Sequence, residues 1–422
     1  MSGPAPGVDL DAVGLLLAPP ALTGEFCPVS LWRGVERLPV RPVAPAARPG
    51  GLRAAFAASV GELTEGVETI GVAVSGGLDS LATLVHACRV ADGRRVIAFT
   101  IDMTDDDGCS SVAVVRTLLR SLALEHVRLE VISPEDRTAA PWSALGPRRD
   151  ALPELNAAVA ARAAELGVGV LLSGDGADEL LGVPRYATAA IARRHGVRAA
   201  ARYAADVARS GPGVMGEVLA AGSRLLRPVR RAGAYWAVNW PEWADPQATA
   251  VLAEPYRAKA TAWARAWVAD RIAQHAEAGR SWAQADAHDA FYPHDLLPAA
   301  GEVQEASPYL TETFLSAAWA LPLADRYGPN LPTAYWRCKA QVISLMPGRA
   351  VRALPRRKQY YTRTLARRAA AAIPRPPLLA ADLGLIHPGH LARERDPSVL
   401  LAVAAVEEWL RGAVEHGATL TA

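Results

Sequence analysis

Residues Ser75-Gly76-Gly77-Leu78-Asp79-Ser80 follow directly on the apolar run Ile70-Gly71-Val72-Ala73-Val74. Adjacent glycines let backbone N–H groups turn toward one point without side-chain obstruction, and a helix opening at Asp79 or Ser80 adds its positive end. Such a loop is an anion cradle suited to phosphate or pyrophosphate. It is not the G-x-x-x-x-G-K-[ST] phosphate loop, because no lysine follows, and its glycines lack the dinucleotide spacing G-x-G-x-x-G. The plain alternative is an ordinary strand–turn–helix connection.

A second cluster, Ser173-Gly174-Asp175-Gly176-Ala177-Asp178-Glu179-Leu180-Leu181-Gly182, follows the apolar run Gly169–Leu172. Its glycines keep the backbone close to a ligand while Asp175, Asp178 and Glu179 gather negative charge. Carboxylates so crowded are costly unless cations or protons compensate them, which makes magnesium and ATP natural partners. Helix capping explains one of the acids but not three beside two glycines.

The surrounding elements place both clusters at equivalent points. Strands are predicted at Ile70–Val74, Arg95–Ile101, Val127–Ile132 and Val168–Leu172. They alternate with helices at Ser80–Val90, Cys109–Leu122 and Glu154–Leu166. Another helix is predicted at Leu52–Leu63, and a strand pair around Ser30–Val40. Alternation of this kind gives an α/β fold with a parallel sheet and right-handed crossovers, whose ligands bind beyond the carboxyl ends of the strands. Beyond Tyr186 long Ala/Arg/Leu stretches read as mainly α-helical. Three regions are expected: a short N-terminal extension over 1–50, an α/β core over 51–186, and a helical region over 187–422 that completes the active site.

With 422 residues, a hydrophobic share of 51% and a net charge of +2, the composition fits a globular protein without bulk nucleic-acid binding. No apolar run is long enough to span a membrane, and no export signal opens the chain, so a cytoplasmic location is expected. Cys27, Cys88, Cys109 and Cys338 are scattered without metal-ligand spacing. Among 45 basic residues only Lys259, Lys339 and Lys358 are lysines. Where composition so favours arginine, a retained lysine hints that a compact ammonium matters there.

The first loop resembles that of the N-type ATP pyrophosphatases, and joined to the second cluster it resembles the synthetase domain of the asparagine synthetase family. The resemblance runs from about Leu52 to Arg368. Ser307-Pro308-Tyr309-Leu310-Thr311-Glu312, Tyr335-Trp336-Arg337-Cys338-Lys339 and Arg356-Arg357-Lys358-Gln359-Tyr360-Tyr361 are similar to further family segments. The resemblance implies a parallel-sheet ATP pyrophosphatase domain followed by a helical region, with ATP and magnesium as cofactors. It assigns pyrophosphate and nucleotide contacts to Ser75, Gly76, Gly77, Leu78, Asp79, Ser80, Gly174 and Gly176. It assigns magnesium to Asp79 and Asp178, and charge neutralisation at the α-phosphate to Lys358. Asp175 stands where relatives carry a glutamate that handles the nucleophile's proton, and an aspartate reaches less far. The implied reaction is carboxylate adenylation followed by attack of an amine, releasing AMP and pyrophosphate.

Glutamine-dependent relatives open with a catalytic cysteine; here Ser2 holds that position, and no glutaminase activity is expected. Gly34-Val35-Glu36-Arg37-Leu38-Pro39 resembles the last hairpin of those relatives' glutaminase domain. Relatives without glutaminase activity include β-lactam synthetases and lasso-peptide macrolactam synthetases, whose substrates supply their own amine. Pro377–Ile386 is similar to a tail segment of lasso cyclases, whereas β-lactam synthetases carry a tyrosine at the position of Asp175. The expected partners are a small-molecule or peptide carboxylate with an amine nucleophile, and proteins of a biosynthetic complex. An asparagine synthetase using free or partner-supplied ammonia and a non-catalytic ATP-binding scaffold are the rival readings. The arginines and tryptophans of Arg224–Trp243 read as a solvated face and core rather than a peptide groove. The pairs His288-Asp289 and His294-Asp295 are not assigned to the site.

Overall fold

The computed structural model describes residues 7–19, 21–24, 29–35, 51–184, 186–208, 213–223, 225–289, 303–373 and 377–420. Among them the α/β part is an all-parallel sheet of five strands: β1 Thr69–Ala73, β2 Arg95–Ile101, β3 Arg128–Ile132, β4 Val170–Leu172 and β5 Gln304–Ala306. Their order is β3-β2-β1-β4-β5. The order reverses direction at β1, which lies between β2 (Ile70 opposite Val96) and β4 (Ile70 opposite Val170). That is the switch point at which doubly wound sheets bind ligands.

β1 and β4 are apolar runs buried on both faces, as parallel strands covered by helices must be. Helices Leu52–Leu63, Leu78–Val90, Ser111–Ser121 and Pro153–Glu165 lie where the sequence periodicity predicts them, within two residues at each end. β5 carries no such signal. It is three residues long, reads Gln-Glu-Ala and occupies an edge. Arg148 fastens it by donating to both carboxylate oxygens of Glu305, at 2.8 and 2.9 Å.

The core of the sheet draws on distant parts of the chain. Phe56, Ile70, Val72 and Leu172 pack with Tyr309, Phe314, Trp336 and Val342. Another core joins the helix Leu10–Leu15 to the C-terminal helix Pro397–Glu415 through Val13, Leu16, Val403 and Trp409, and Gly7 bridges to Thr419. Leu378, Ala380, Leu385 and Ile386 of the tail segment fill this core, so its apolar positions serve packing. Trp236 and Trp243 are buried while Arg227 and Arg230 are exposed, as expected for core and solvated face, but Arg231 and Trp240 are half-buried, Arg231 donating to the Gly279 carbonyl at 3.1 Å. Of the strand pair expected around Ser30–Val40, Trp32 makes one isolated bridge to Val8; residues 36–40 lie outside the described residues, as do Ser2, Cys27, Arg224, His294 and Asp295. No helix among the described residues is long and apolar enough to cross a membrane.

Candidate active site

The two clusters meet at the carboxyl ends of β1 and β4. The first loop runs from β1 into the helix Leu78–Val90, whose first residues have no side-chain cap because Gly77 precedes them. An uncapped start leaves backbone N–H groups unclaimed beside the positive end of the dipole. The loop holds itself together: Ser75 N–H donates to Ser80 Oγ at 3.2 Å, and Gly77 N–H donates to Ser75 Oγ at 3.3 Å. Ser80 is buried.

Gly174 and Gly176 each serve a steric need. A Cβ at Gly174 would lie 2.7 Å from the Ser80 amide nitrogen, so only glycine lets the second loop touch the start of the first helix. Gly176 has φ +83°, and a Cβ there would meet Leu310 Cδ2 at 2.4 Å. The hydroxyl of Thr83 ties the loops by donating to the Ser173 carbonyl at 3.0 Å.

The Ser307–Leu310 segment, which follows β5, buttresses both loops. Ser307 Oγ donates to the Asp175 carbonyl at 2.7 Å, and the fully buried Tyr309 donates its hydroxyl to the Asp79 carbonyl at 3.1 Å. The Asp175 carboxylate accepts from Ser173 Oγ at 2.7 Å.

Lys339 stands between the two acids to which sequence reasoning gave a metal. Its ammonium donates to Asp79 Oδ1 and Oδ2 at 2.7 and 2.6 Å and lies 2.6 Å from Asp178 Oδ1. Lys358 approaches the other Asp178 oxygen at 3.5 Å. Lys339 is 5% exposed, whereas the Lys358 side chain is half exposed. Burial alone would push the Lys339 ammonium down, but the charges of Asp79 and Asp178 hold it above its usual value. Burial raises the Asp79 carboxyl despite Lys339. Asp178 is also penalised by burial, yet Lys339 and Lys358 together hold it below the usual carboxylate range.

Local structure fixes Lys339 where it stands. It follows the helix Ala334–Cys338, which Thr333 caps by accepting from the Trp336 N–H at 3.1 Å. Arg337 makes a bidentate pair with the buried Asp206 at 2.6 and 2.7 Å, and Tyr327 donates to the same carboxylate at 2.8 Å. Sequence reasoning gave Lys339 no role. The signal that could have found it was the scarcity of lysine that singled out Lys358.

Lys358 is positioned by a clasp between the β2–helix loop and its own segment. Asp106 accepts from the N–H groups of Thr362 and Arg363, at 3.1 and 3.0 Å, and so caps the helix Thr362–Ala372 from outside. Arg357 pairs with Asp105 at 3.3 Å and with Asp107. Gln359 donates to Asp105 at 3.3 Å and lies against Gly76, where a Cβ would come within 2.9 Å of its Oε1.

The acids fit a magnesium ion. Both offer hard oxygen donors, and they already converge on one cationic point. Magnesium accepts one or two carboxylates and completes its shell with water and phosphate oxygens. The cluster His275, His288 and Asp289 is separate: buried His275 donates from Nε2 to Asp289 at 2.8 Å, inside the helical region.

Among curated proteins no match to the chain was found. The family model described as asparagine synthase matches residues 51–346, which contain both loops, the Ser307–Leu310 buttress and Lys339 but not Lys358. That span is most of the chain: the protein belongs to the asparagine synthase family, whose chemistry is ATP-dependent amide-bond formation.

Proposed function

We propose that this protein is an amide ligase that adenylates a carboxylate and closes the amide with an amine carried by a peptide or natural-product substrate, without using glutamine. The observation that carries the reading is the convergence of Asp79, Asp178, Lys339 and Lys358 beside an uncapped helix start. Two ammonium groups and N–H donors face the place where a departing pyrophosphate gathers charge, which is where electrostatic stabilisation is most effective.

In this reading a substrate carboxylate oxygen attacks the α-phosphorus of ATP, and the bond from that phosphorus to the pyrophosphate oxygen breaks. Lys339 and Lys358 hold the charge of the leaving pyrophosphate. The amine then attacks the acyl carbon, the bond to the AMP oxygen breaks, and Asp175 takes the proton released from the amine. Asp79 and Asp178 would hold magnesium, which supplies further charge neutralisation on the phosphates.

Among the described residues Cys88 and Cys338 are unsuited to releasing ammonia from glutamine. Burial pushes the thiols of Cys88 and Cys338 up to about 11, which suppresses the thiolate that amide hydrolysis requires. Cys109 is engaged in the clasp, where its sulfur accepts from Arg357 at 3.0 Å.

The test is pyrophosphate release from ATP, screened against aspartate, β-amino acids and candidate precursor peptides. Release with a peptide and formation of an internal amide support the proposal. Release with aspartate, stimulated by ammonium, would make the protein an asparagine synthetase using free ammonia. ATP binding without release on any carboxylate would make it a scaffold.

A further inference from the structure

Asp79 and Asp178 present four carboxylate oxygens between them, and each of the four faces an ammonium. Lys339 lies within 2.7 Å of three of them, both oxygens of Asp79 and Oδ1 of Asp178. Lys358 stands 3.5 Å from the last, Asp178 Oδ2. Two carboxylates and two ammonium groups cancel, so the quartet balances its own charge.

The point held by Lys339 is the one a divalent cation would seek. A metal taking one oxygen from each acid must lie between them, and the ammonium stands there, 2.6 Å from both. A lysine ammonium is a compact point charge, so it can take the place of a small cation. Two cations drawn to the same oxygens repel each other, and strongly where the lysine is only 5% exposed. Magnesium also gives up its water reluctantly, so carboxylates already neutralised hold little attraction for it.

Only the side chain of Lys339 can leave. Its N–H donates to the carbonyls of Tyr335 and Trp336, each at 3.1 Å, and its carbonyl accepts from the Ile343 N–H at 3.0 Å. Arg337, two residues earlier, is pinned to Asp206. The flexible four-carbon stem can therefore turn while the backbone stays. The anion cradle that would draw it away contains Asp79 itself, on the helix Leu78–Val90 whose start has no side-chain cap. A polyphosphate seated there competes with the acids for both ammonium groups.

We infer that Lys339 bars a divalent cation from Asp79 and Asp178 until the phosphates of the nucleotide draw its ammonium off the acids. The cation then binds with the phosphates or after them, never ahead of them. Lys339 thus sets an order of binding in addition to holding the charge of the leaving pyrophosphate. The inference rests on the phosphate site of the function proposed above and adds how the metal is admitted to it.

The test is equilibrium dialysis of the full-length protein against manganese chloride, with and without inorganic pyrophosphate. Wild type should hold manganese only when pyrophosphate is present. Lys339→Met should bind manganese alone about tenfold or more tightly than wild type. Adding Asp79→Asn should remove that gain. Manganese alone should also raise the thermal midpoint of Lys339→Met and leave that of wild type unchanged, which reports folding and binding together. The inference is overturned by wild type holding manganese without pyrophosphate as tightly as with it. It is equally overturned by no gain in folded Lys339→Met, or by a gain that survives Asp79→Asn. The wild-type comparison needs no variant and decides the matter even where Lys339→Met fails to fold. Manganese admitted only with pyrophosphate, but no pyrophosphate release from ATP on any carboxylate, would keep the inference and sink the ligase reading. Carboxylate-dependent release from a protein that binds manganese ahead of pyrophosphate would do the reverse.

Discussion

Lys339 grips Asp79 through both carboxylate oxygens, at 2.7 and 2.6 Å, across a sequence separation of 260 residues. The pair sits at the start of the helix Leu78–Val90, so it carries both architecture and charge. Removing one partner of a buried pair leaves the other uncompensated and costs about 3–5 kcal/mol. Lys339→Met should therefore lower the urea midpoint as well as abolish pyrophosphate release. Adding Asp79→Asn should restore much of the stability and none of the activity. Lys339→Arg should lose activity too, since a planar guanidinium does not fill the place of a compact ammonium.

Lys358 should behave oppositely. Its side chain is half exposed and touches Asp178 only at 3.5 Å, so Lys358→Ala should change stability by less than about 0.5 kcal/mol. Pyrophosphate release should fall by about 10²-fold or more, the scale on which a lost transition-state charge partner is felt. A wild-type rate in this variant would remove Lys358 from the machinery.

Gly174→Ala tests the meeting of the loops. The new methyl would fall 2.7 Å from the Ser80 backbone nitrogen, a contact that no rotamer change relieves. ATP affinity measured by calorimetry should drop about tenfold or more. Gly196→Ala, at a glycine far from the loops with open space around it, should leave ATP binding unchanged.

Added glutamine should yield no glutamate, measured by coupled glutamate oxidation, if the substrate's own amine supplies the nitrogen; burial holds the thiols of Cys88 and Cys338 at about 11. Glutamate production at any rate above the buffer blank would overturn the proposed nitrogen source.

Asp105 and Asp106 make the clasp sensitive to strong acid only. N–H donation from Cys109 to Asp105, and from Arg363 to Asp106, holds each carboxyl below its ordinary 3.8 in the folded chain. A carboxyl so depressed contributes stability above its unfolded value, and that contribution disappears as pH falls through the lower folded value. The protection factors for hydrogen exchange in the helix Thr362–Ala372 should thus hold down to about pH 4 and drop once the pH is below 3.8. Asp106→Asn should weaken that protection at neutral pH, since it replaces the charged cap.

What the sequence made legible follows from range. β1 and β2 read directly, because strands buried on both faces are unbroken apolar runs. The Ser75–Ser80 and Ser173–Gly182 loops read because their glycines and acids stand together in short stretches, although the contacts that demand glycine at Gly174 and Gly176 come from distant Ser80 and Leu310. β5 was hidden, since Gln304-Glu305-Ala306 owes its place to Arg148 and the β4 edge rather than to its own pattern. The Lys339 role and the Asp106 cap were hidden too, because each joins residues more than 250 positions apart.

The position of β5 has a consequence for how the protein is made. During synthesis the Ser75–Ser80 loop and the acids Asp79 and Asp178 emerge long before the edge strand that closes the sheet, and before the Tyr309 buttress and the Lys339 ammonium. The nascent first half thus holds an unfinished sheet edge, a mark of an aggregation-prone intermediate, and an acid pair that still lacks its cation. The acid pair and the sheet edge can be completed only after synthesis has passed Lys339.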